Sequence, residues 1–257
     1  MIIDAHFHCR FGSPDTDELK RECEKIMYEF QRAGIDKSCV MPSGSYKTFY
    51  NDADEQKELA ECLVKIVEMF PDKFYALLKL NGLLPSEVLI DLLKKYVVDG
   101  PLTGVKLTTQ MNARDTRLEK ICRFMEEHDI PVLWHCWYKT YCKYEFESDP
   151  QDIAFFAKKY PKIRILMAHL TGCGRRGVQD IKDCSNVSID TSGSQPFDGY
   201  LEYALKELGA DRVLYGSDYP CRDIPAQLGR IQSVDLSPEV REKVLCSNAL
   251  KFYRKGN

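Results

Sequence analysis

Four of the five histidines in this chain lie at or near the ends of short apolar segments. His6 and His8 follow the apolar N-terminus, and His135 and His169 each close an apolar run. Alternate residues of a strand point to the same face, so His6 and His8 can present two imidazoles to one ion. Asp218 follows a fourth apolar segment and adds a carboxylate. Imidazole and carboxylate together suit zinc and other divalent transition metals, so the pattern predicts a metal site.

The elements that would position these residues can be read from periodicity, because short apolar runs alternate with amphipathic stretches along the chain. The apolar runs predict strands at 1–6, 37–41, 74–80, 102–107, 131–135, 164–169, 187–190 and 212–215. The amphipathic stretches predict helices at 17–33, 54–70, 85–95, 116–127, 150–160, 175–182, 198–208 and 226–233. Two further helices are predicted, one starting at Ser237 and one over 248–253.

Eight strands, each followed by a helix, indicate the α/β class and a (β/α)8 TIM barrel with extra C-terminal helices. An open doubly wound sheet is the alternative, but no Gly-rich dinucleotide loop follows any strand. No break in composition divides the chain, so we expect one domain over residues 1–257. Active sites of this barrel lie at the C-terminal ends of the strands, where the histidines and Asp218 fall.

Composition excludes several classes of function. The net charge is -3 and the charged residues are mixed in sign, so we expect no nucleic-acid partner. No apolar run approaches the about 20 residues that span a bilayer, and we expect no export signal. The eleven cysteines lack paired spacing and are interpreted as reduced thiols, which favours a cytoplasmic protein. The expected partner is a small-molecule substrate, and a homodimer remains open.

Two of the predicted strand-to-helix loops are unusually aromatic and also carry lysines. They cover residues 43–50 and 136–144, after the second and fifth strands. Their rings either pack the loops onto the rim of the barrel or contact the substrate. In the second loop, Trp137 and Tyr138 are the candidates for substrate contact.

In its motifs, the chain resembles the amidohydrolase superfamily, specifically the branch that contains aminocarboxymuconate-semialdehyde decarboxylase and related metal-dependent hydrolases. The resemblance extends from residue 3 to about residue 253. One H-x-H motif is weak evidence, but the ordered series of motifs is specific. The motifs occur in sequence at 4–8, 104–107, 135, 169, 186–193, 216–220 and 247–253.

The resemblance implies a role for each matching residue. His6, His8 and His135 would bind the metal together with Asp218, which would also handle the proton of a water molecule. His169 would be a ligand in a two-metal site, or would orient water or polarise the substrate beside a single metal; the second role is preferred. The expected cofactor is one divalent ion, with zinc ranked first and manganese or iron as alternatives. Asp218 and His169 can share general acid/base work if their pKa values differ.

The resemblance leaves the basic residues with two interpretations each. In some relatives a lysine at the position of Lys106 is carboxylated and bridges two metals; in this branch it points into the pocket. Arg175 and Arg222 follow the site residues His169 and Asp218, and each can clamp a substrate carboxylate or lie in solvent.

The resulting prediction is a metal-dependent hydrolase that uses metal-activated water on a small carboxylated or cyclic ester, lactone or amide. Metal-dependent non-oxidative decarboxylation is the alternative, because the branch contains both reactions. A catalytically silent barrel that only binds metal is the third hypothesis. Asp218 and His169 are the predicted catalytic residues in either reaction.

Overall fold

The computed structural model describes residues 1–10, 15–43, 53–141, 143–195 and 197–254. Apart from Ser43, the first of the two predicted aromatic loops lies outside the described residues. All but one residue of the second loop is described.

Eight parallel strands form a single sheet in which each strand pairs with the next one along the chain. The strands are β1 (Ile3–Cys9), β2 (Lys37–Pro42), β3 (Phe74–Lys79), β4 (Gly104–Leu107), β5 (Val132–Trp134), β6 (Ile165–Met167), β7 (Val187–Asp190) and β8 (Val213–Leu214). The last strand returns to the first, because Ala5 N donates to Tyr215 O at 2.9 Å. Phe7 also forms a parallel bridge with Tyr219. The predicted TIM barrel is therefore confirmed.

Helices connect successive strands around the outside of the barrel. They are α1 (Thr16–Ala33), α2 (Ala53–Met69), α3 (Ser86–Leu93), α4 (Glu119–Glu127), α5 (Pro150–Lys159), α6 (Leu170–Ile181), α7 (Tyr200–Leu208), α8 (Ile224–Gln232), α9 (Pro238–Glu242) and α10 (Asn248–Phe252). A π-helical turn, Lys94–Val98, extends α3, and another, Lys243–Ser247, joins α9 to α10. No described helix is long and apolar enough to cross a membrane.

Local sequence explains where α1 begins and ends. The Asp15 side chain accepts from Glu18 N at 2.9 Å and so caps the first turn. Gly34 ends the helix at a φ of 71°, a left-handed conformation that glycine adopts without strain. Apolar residues at helical spacing form the buried face of α1, which covers the barrel wall: Leu19, Cys23, Ile26 and Phe30.

The interior of the barrel is filled by small and medium apolar side chains. One buried cluster takes its members from the strands, from the residue after β6, and from the C-terminal segment 246–253: Ile3, Ala5, Cys39, Met41, Leu77, Leu133, Leu166, Ala168, Leu214, Cys246, Ala249, Phe252 and Tyr253. The Tyr253 hydroxyl donates to Ala5 O at 2.6 Å. The residues after β8 therefore close the N-terminal end of the barrel and leave the other end for a site.

Two of the predicted boundaries beside site residues are wrong by three residues or more. β1 continues to Cys9 instead of ending at His6, because His8 stays in register with Met41 of β2. α6 begins at Leu170 and not at Arg175, because the amides of Gly172 and Cys173 donate to His169 O, each at 2.8 Å. The two glycines near this start resemble a loop in sequence, although only Gly174 interrupts the helix, at a φ of 68°.

Candidate metal centre

Three imidazoles and one carboxylate converge at the C-terminal end of the barrel. His6 Nε2 lies 3.1 Å from His8 Nε2. Asp218 Oδ1 lies 3.6 Å from His6 Nε2 and 3.4 Å from His8 Nε2, and Asp218 Oδ2 lies 3.6 Å from His169 Nε2. The ligand atoms of His6, His169 and Asp218 all lie within 4.8 Å of one another. These four residues form the convergent group.

Each histidine of the convergent group is oriented by a contact through its other ring nitrogen. The Nδ1 contacts are from His6 to Asp190 Oδ2 at 2.8 Å, from His8 to Pro42 O at 3.3 Å, and from His169 to Cys136 O at 3.1 Å. A carbonyl or carboxylate oxygen only accepts, so each Nδ1 carries the hydrogen and each Nε2 keeps a lone pair. This is the tautomer in which a histidine binds a metal through Nε2.

The charges of the convergent group also fit a divalent cation. Burial lowers the pKa of His8 to about 4 and holds the pKa of His169 well below its ordinary value, so both rings are neutral. Burial alone would raise the pKa of Asp218, but the neighbouring histidines His8, His169 and His6 outweigh burial and hold it well below its usual range. Neutral imidazoles and an ionised carboxylate are the donor set of divalent transition metals.

Asp190, at the end of β7, supports two histidines at once. Besides accepting from His6 Nδ1, it accepts from His169 N at 3.0 Å through its other oxygen. Burial raises the pKa of this carboxyl, but His6 and the other donors outweigh burial and hold the pKa well below its usual range. Sequence analysis places Asp190 in a motif but assigns it no role.

Lys106 on β4 points at the same donor atoms. Its Nζ lies 3.2 Å from His6 Nε2, and the side chain is fully buried. Burial lowers the pKa of this lysine to about 8, so the ammonium form still predominates at neutral pH. The lysine therefore lies in the site, as its position in the fourth strand predicts.

His135 follows β5 but is oriented differently from the other three histidines. Its Nε2 lies 2.8 Å from Glu147 Oε1, and its ring centroid lies 4.9 Å from that of His169. The ring is thus near the convergent group, with Nε2 directed at Glu147. The assignment of His135 as a metal ligand stays a prediction.

A cavity of about 460 Å³ opens onto the convergent group. Its lining includes the predicted residues Lys106, Trp137 and Arg222, and it adds Lys139. The lining residues are His8, Lys106, Thr108, His135, Trp137, Lys139, Tyr144, His169, Ser194, Asp218, Cys221 and Arg222. One wall is an indole and three lining side chains are cationic, so the cavity suits a planar anion.

Trp137 is held in the cavity by its fit against the first turn of α6. A Cβ on Gly172 would lie 2.7 Å from Trp137 Cδ2, so only glycine allows the indole to approach this closely. The indole centroid lies 5.1 Å from the His169 ring. The Trp137 indole is therefore packed directly against His169 and the start of α6.

Arg175 and Tyr138 lie elsewhere, and neither is among the described residues that line the cavity. The Arg175 guanidinium lies 5.3 Å from the centre of the Tyr203 ring on α7. Tyr138 accepts a hydrogen bond from Arg176, whose guanidinium lies 4.4 Å from the centre of its ring. Both arginines are exposed and follow directly after the kink at Gly174. The substrate contacts of Arg175 and Tyr138 stay predictions.

The fold and the convergent group together define a (β/α)8 barrel with a metal-type site at the C-terminal ends of its strands. The sequence profile of the amidohydrolase family matches residues 3–255. The chain belongs to the amidohydrolase family. No curated protein sequence is significantly similar to it.

Solved structures with the same fold include decarboxylases and a hydratase. A 2,6-dihydroxybenzoate decarboxylase from Rhizobium superposes with a TM-score of 0.78 at 14% identity, covering 98% of each chain. A dihydroxybenzoic acid decarboxylase from a Polaromonas species, with bound manganese and the inhibitor 2-nitroresorcinol, has a TM-score of 0.76 at 16% identity, covering 98% of this chain and 96% of that one. A 4-oxalomesaconate hydratase from Rhodopseudomonas palustris has a TM-score of 0.73 at 17% identity, covering 98% and 95%.

Proposed function

We propose that this protein is a metal-dependent decarboxylase of a small, planar carboxylic acid. The observation that carries the proposal is the shared cavity, in which the metal-type donors lie beside an indole wall and three cationic side chains. The decarboxylase activities of similarly folded proteins support the same reaction, at 14% and 16% identity.

His6, His8, His135 and Asp218 would hold the metal, which would leave the lone pair of His169 Nε2 free to handle a proton. The bound metal would supply positive charge that orients the substrate oxygens and stabilises negative charge in the reaction. The ligand types suit zinc, manganese or iron. Manganese is the ion of the similarly folded Polaromonas enzyme.

The other cavity residues would bind the acid. Lys106 and Arg222 would pair with its carboxylate or hydroxyl oxygens, and Trp137 would stack on its ring. In the reaction the bond between ring carbon and carboxylate breaks, carbon dioxide leaves, and the electron pair stays on the ring carbon. A proton must then reach that carbon. The free lone pair on His169 Nε2 accepts a proton from water or a substrate hydroxyl and returns it to the carbon.

Hydrolysis of a small ester, lactone or amide, which sequence analysis ranks first, is the second candidate. It is favoured by one observation, the 3.6 Å approach of Asp218 Oδ2 to His169 Nε2. These two groups could orient a water molecule from two sides, with His169 Nε2 accepting its proton.

The test is a panel of hydroxybenzoates and of small lactones and esters, presented to protein loaded with zinc or manganese. We expect carbon dioxide release and incorporation of one solvent deuteron at the vacated ring carbon, both lost in Asp218→Asn. Hydrolysis of a lactone or ester without carbon dioxide would establish the second candidate. Bound metal with no turnover of any panel member would leave the silent barrel.

A further inference from the structure

Glu147 is a fully buried carboxylate in the segment between β5 and α5. It lies outside the convergent group, and the proposed reaction does not use it. A buried carboxylate is costly unless hydrogen bonds and opposite charge compensate it. Its partners therefore indicate its role.

Two cavity-lining side chains share one oxygen of this carboxylate. Oε1 lies 2.8 Å from His135 Nε2 and accepts from Lys139 Nζ at 2.9 Å. An ammonium nitrogen has hydrogens and no lone pair, so Oε1 accepts from Lys139. The same oxygen therefore also accepts in its contact with His135, and His135 Nε2 carries the hydrogen.

The backbone around Glu147 is fixed by a neighbouring loop, independently of His135. Ala113 N donates to Ser148 Oγ at 3.0 Å, and Asn112 Nδ2 donates to Glu147 O at 3.4 Å. Trp137 N donates to Ser148 O at 3.2 Å. The loop after β4 therefore holds the carboxylate in place, and the carboxylate in turn holds the two side chains.

We propose that Glu147 is a positioning residue, which fixes the His135 ring with its hydrogen on Nε2 and holds the Lys139 ammonium at the cavity wall. His135 then has the tautomer opposite to that of His6, His8 and His169, with its lone pair on Nδ1. The Lys139 ammonium lies 5.6 Å from the Trp137 ring centre and 4.7 Å from that of Tyr144, so the same anchor sets the aromatic wall. The kinetic consequence rests on the proposed function, whereas the tautomer does not.

The decisive measurement is nitrogen NMR of the imidazoles in the zinc-loaded protein, with the His135 signals assigned by their loss in His135→Asn. We expect hydrogen on Nε2 of His135. If the unsubstituted protein instead carries the hydrogen on Nδ1 of His135, or binds zinc through Nε2 of His135, the proposal is overturned.

Variants at Glu147 test whether the carboxylate is the cause. Glu147→Gln keeps an acceptor oxygen, so His135 is expected to keep its hydrogen on Nε2. Glu147→Leu removes the acceptor, so the tautomer with hydrogen on Nε2 should no longer be the main form of His135. In kinetics, Glu147→Leu should lower kcat/KM about 10–100-fold, with partial rescue in Glu147→Gln.

Glu145→Gln, at an exposed acid of the same loop, is the matched control and should leave the His135 signals unchanged. Equal effects of Glu145→Gln and Glu147→Leu would contradict the assignment. Absence of any decarboxylation would defeat the proposed function and leave the NMR result standing.

Discussion

The nitrogen that carries the hydrogen on each imidazole decides what that histidine can do. His6, His8 and His169 each direct Nδ1 at an oxygen and keep Nε2 for the space that they share. The hydrogen bond from His6 Nδ1 is accepted by the buried carboxylate of Asp190. An anionic acceptor makes Nε2 of the same ring a more basic metal ligand than a carbonyl acceptor would. A carboxylate that touches no substrate thus controls the site.

Asp190→Asn should weaken metal binding because the anionic acceptor of His6 is lost. We expect the affinity for zinc to fall about 10–100-fold, measured by competition with a chromophoric chelator. Asp183→Asn, at an exposed acid before β7, is the control and should retain the affinity of the unsubstituted protein. Unchanged affinity in Asp190→Asn would mean that Asp190 does not support a ligating ring.

Asp4 gives the protein a pH-dependent term in its stability. Burial raises the pKa of Asp4 from 3.8 to about 7, and its Oδ2 finds no hydrogen-bond partner among the described residues. Between these pH values the folded chain holds a proton that the unfolded chain has released. The contribution of protonated Asp4 to the free energy of unfolding is therefore fully present below about pH 4 and is lost as the pH rises through about 7.

Asp4→Asn should remove this dependence. Relative to the variant, the unsubstituted protein should lose free energy of unfolding as the pH rises from 4 to 7, measured by urea denaturation of metal-free protein. A difference between the two proteins that is constant over this range would contradict the raised pKa.

Residue types and their spacing predict the His6, His8 and Asp218 cluster, because strand periodicity and strand ends are local properties. Glu147 could not be found this way. It is one of three acids in the segment between β5 and α5, with Glu145 and Asp149, and only tertiary packing buries it. The orientation of His135 depends on Glu147 and was equally invisible in the sequence.

At the scale of elements, the site depends on the contact between the loop after β5 and the first turn of α6. Gly172→Ala would put a methyl group 2.7 Å from the Trp137 indole and force it to move. We expect a raised KM for the planar acid with little change in metal content, measured by steady-state kinetics and elemental analysis. Normal kinetics would show that the position of the indole does not matter.

Gly229→Ala in α8 is the matched control for this substitution. A Cβ there meets nothing within 4 Å, and the residue lies inside a helix. The free energy of unfolding should rise by about 0.4–1 kcal/mol, with KM unchanged, because alanine loses less backbone entropy in a helix than glycine.

The element boundaries that sequence predicts well are those with an apolar period and a cap. α1 is predicted at 17–33 and observed at Thr16–Ala33, with Asp15 and Gly34 as its limits. The start of α6 is missed because His169 begins it at a φ of 72°, in a left-handed conformation that no local pattern signals. The residue in that conformation is both the N-cap of α6 and a member of the convergent group.

At the scale of the whole molecule, the two ends of the barrel have separate tasks. The metal-type group lies at the C-terminal ends of the strands, and Tyr253 and its neighbours close the opposite end. Eight repeats of strand and helix make this architecture predictable from sequence. The contact that closes the N-terminal end of the barrel, from Tyr253 to Ala5, joins residues distant in sequence, so no local sequence pattern predicts it.

Tyr253→Phe should therefore affect stability without affecting catalysis. The ring remains but the hydrogen bond to Ala5 O is lost, so the free energy of unfolding should fall by about 1 kcal/mol. Urea denaturation measures the loss, and kcat/KM of the folded variant should equal that of the unsubstituted protein. A large fall in kcat/KM would show that the two ends are coupled.

The hydrogen bond from Ser217 N to Asp4 Oδ1 joins residues 213 positions apart, and Asp218 N donates to His6 O beside it. During synthesis, His6 and His8 on β1 can therefore come together with the Asp218 carboxylate only after β8 has been made. A ribosome-bound chain that has not yet released residue 218 lacks the carboxylate of the convergent group. A product truncated before residue 218 would therefore carry no complete convergent group.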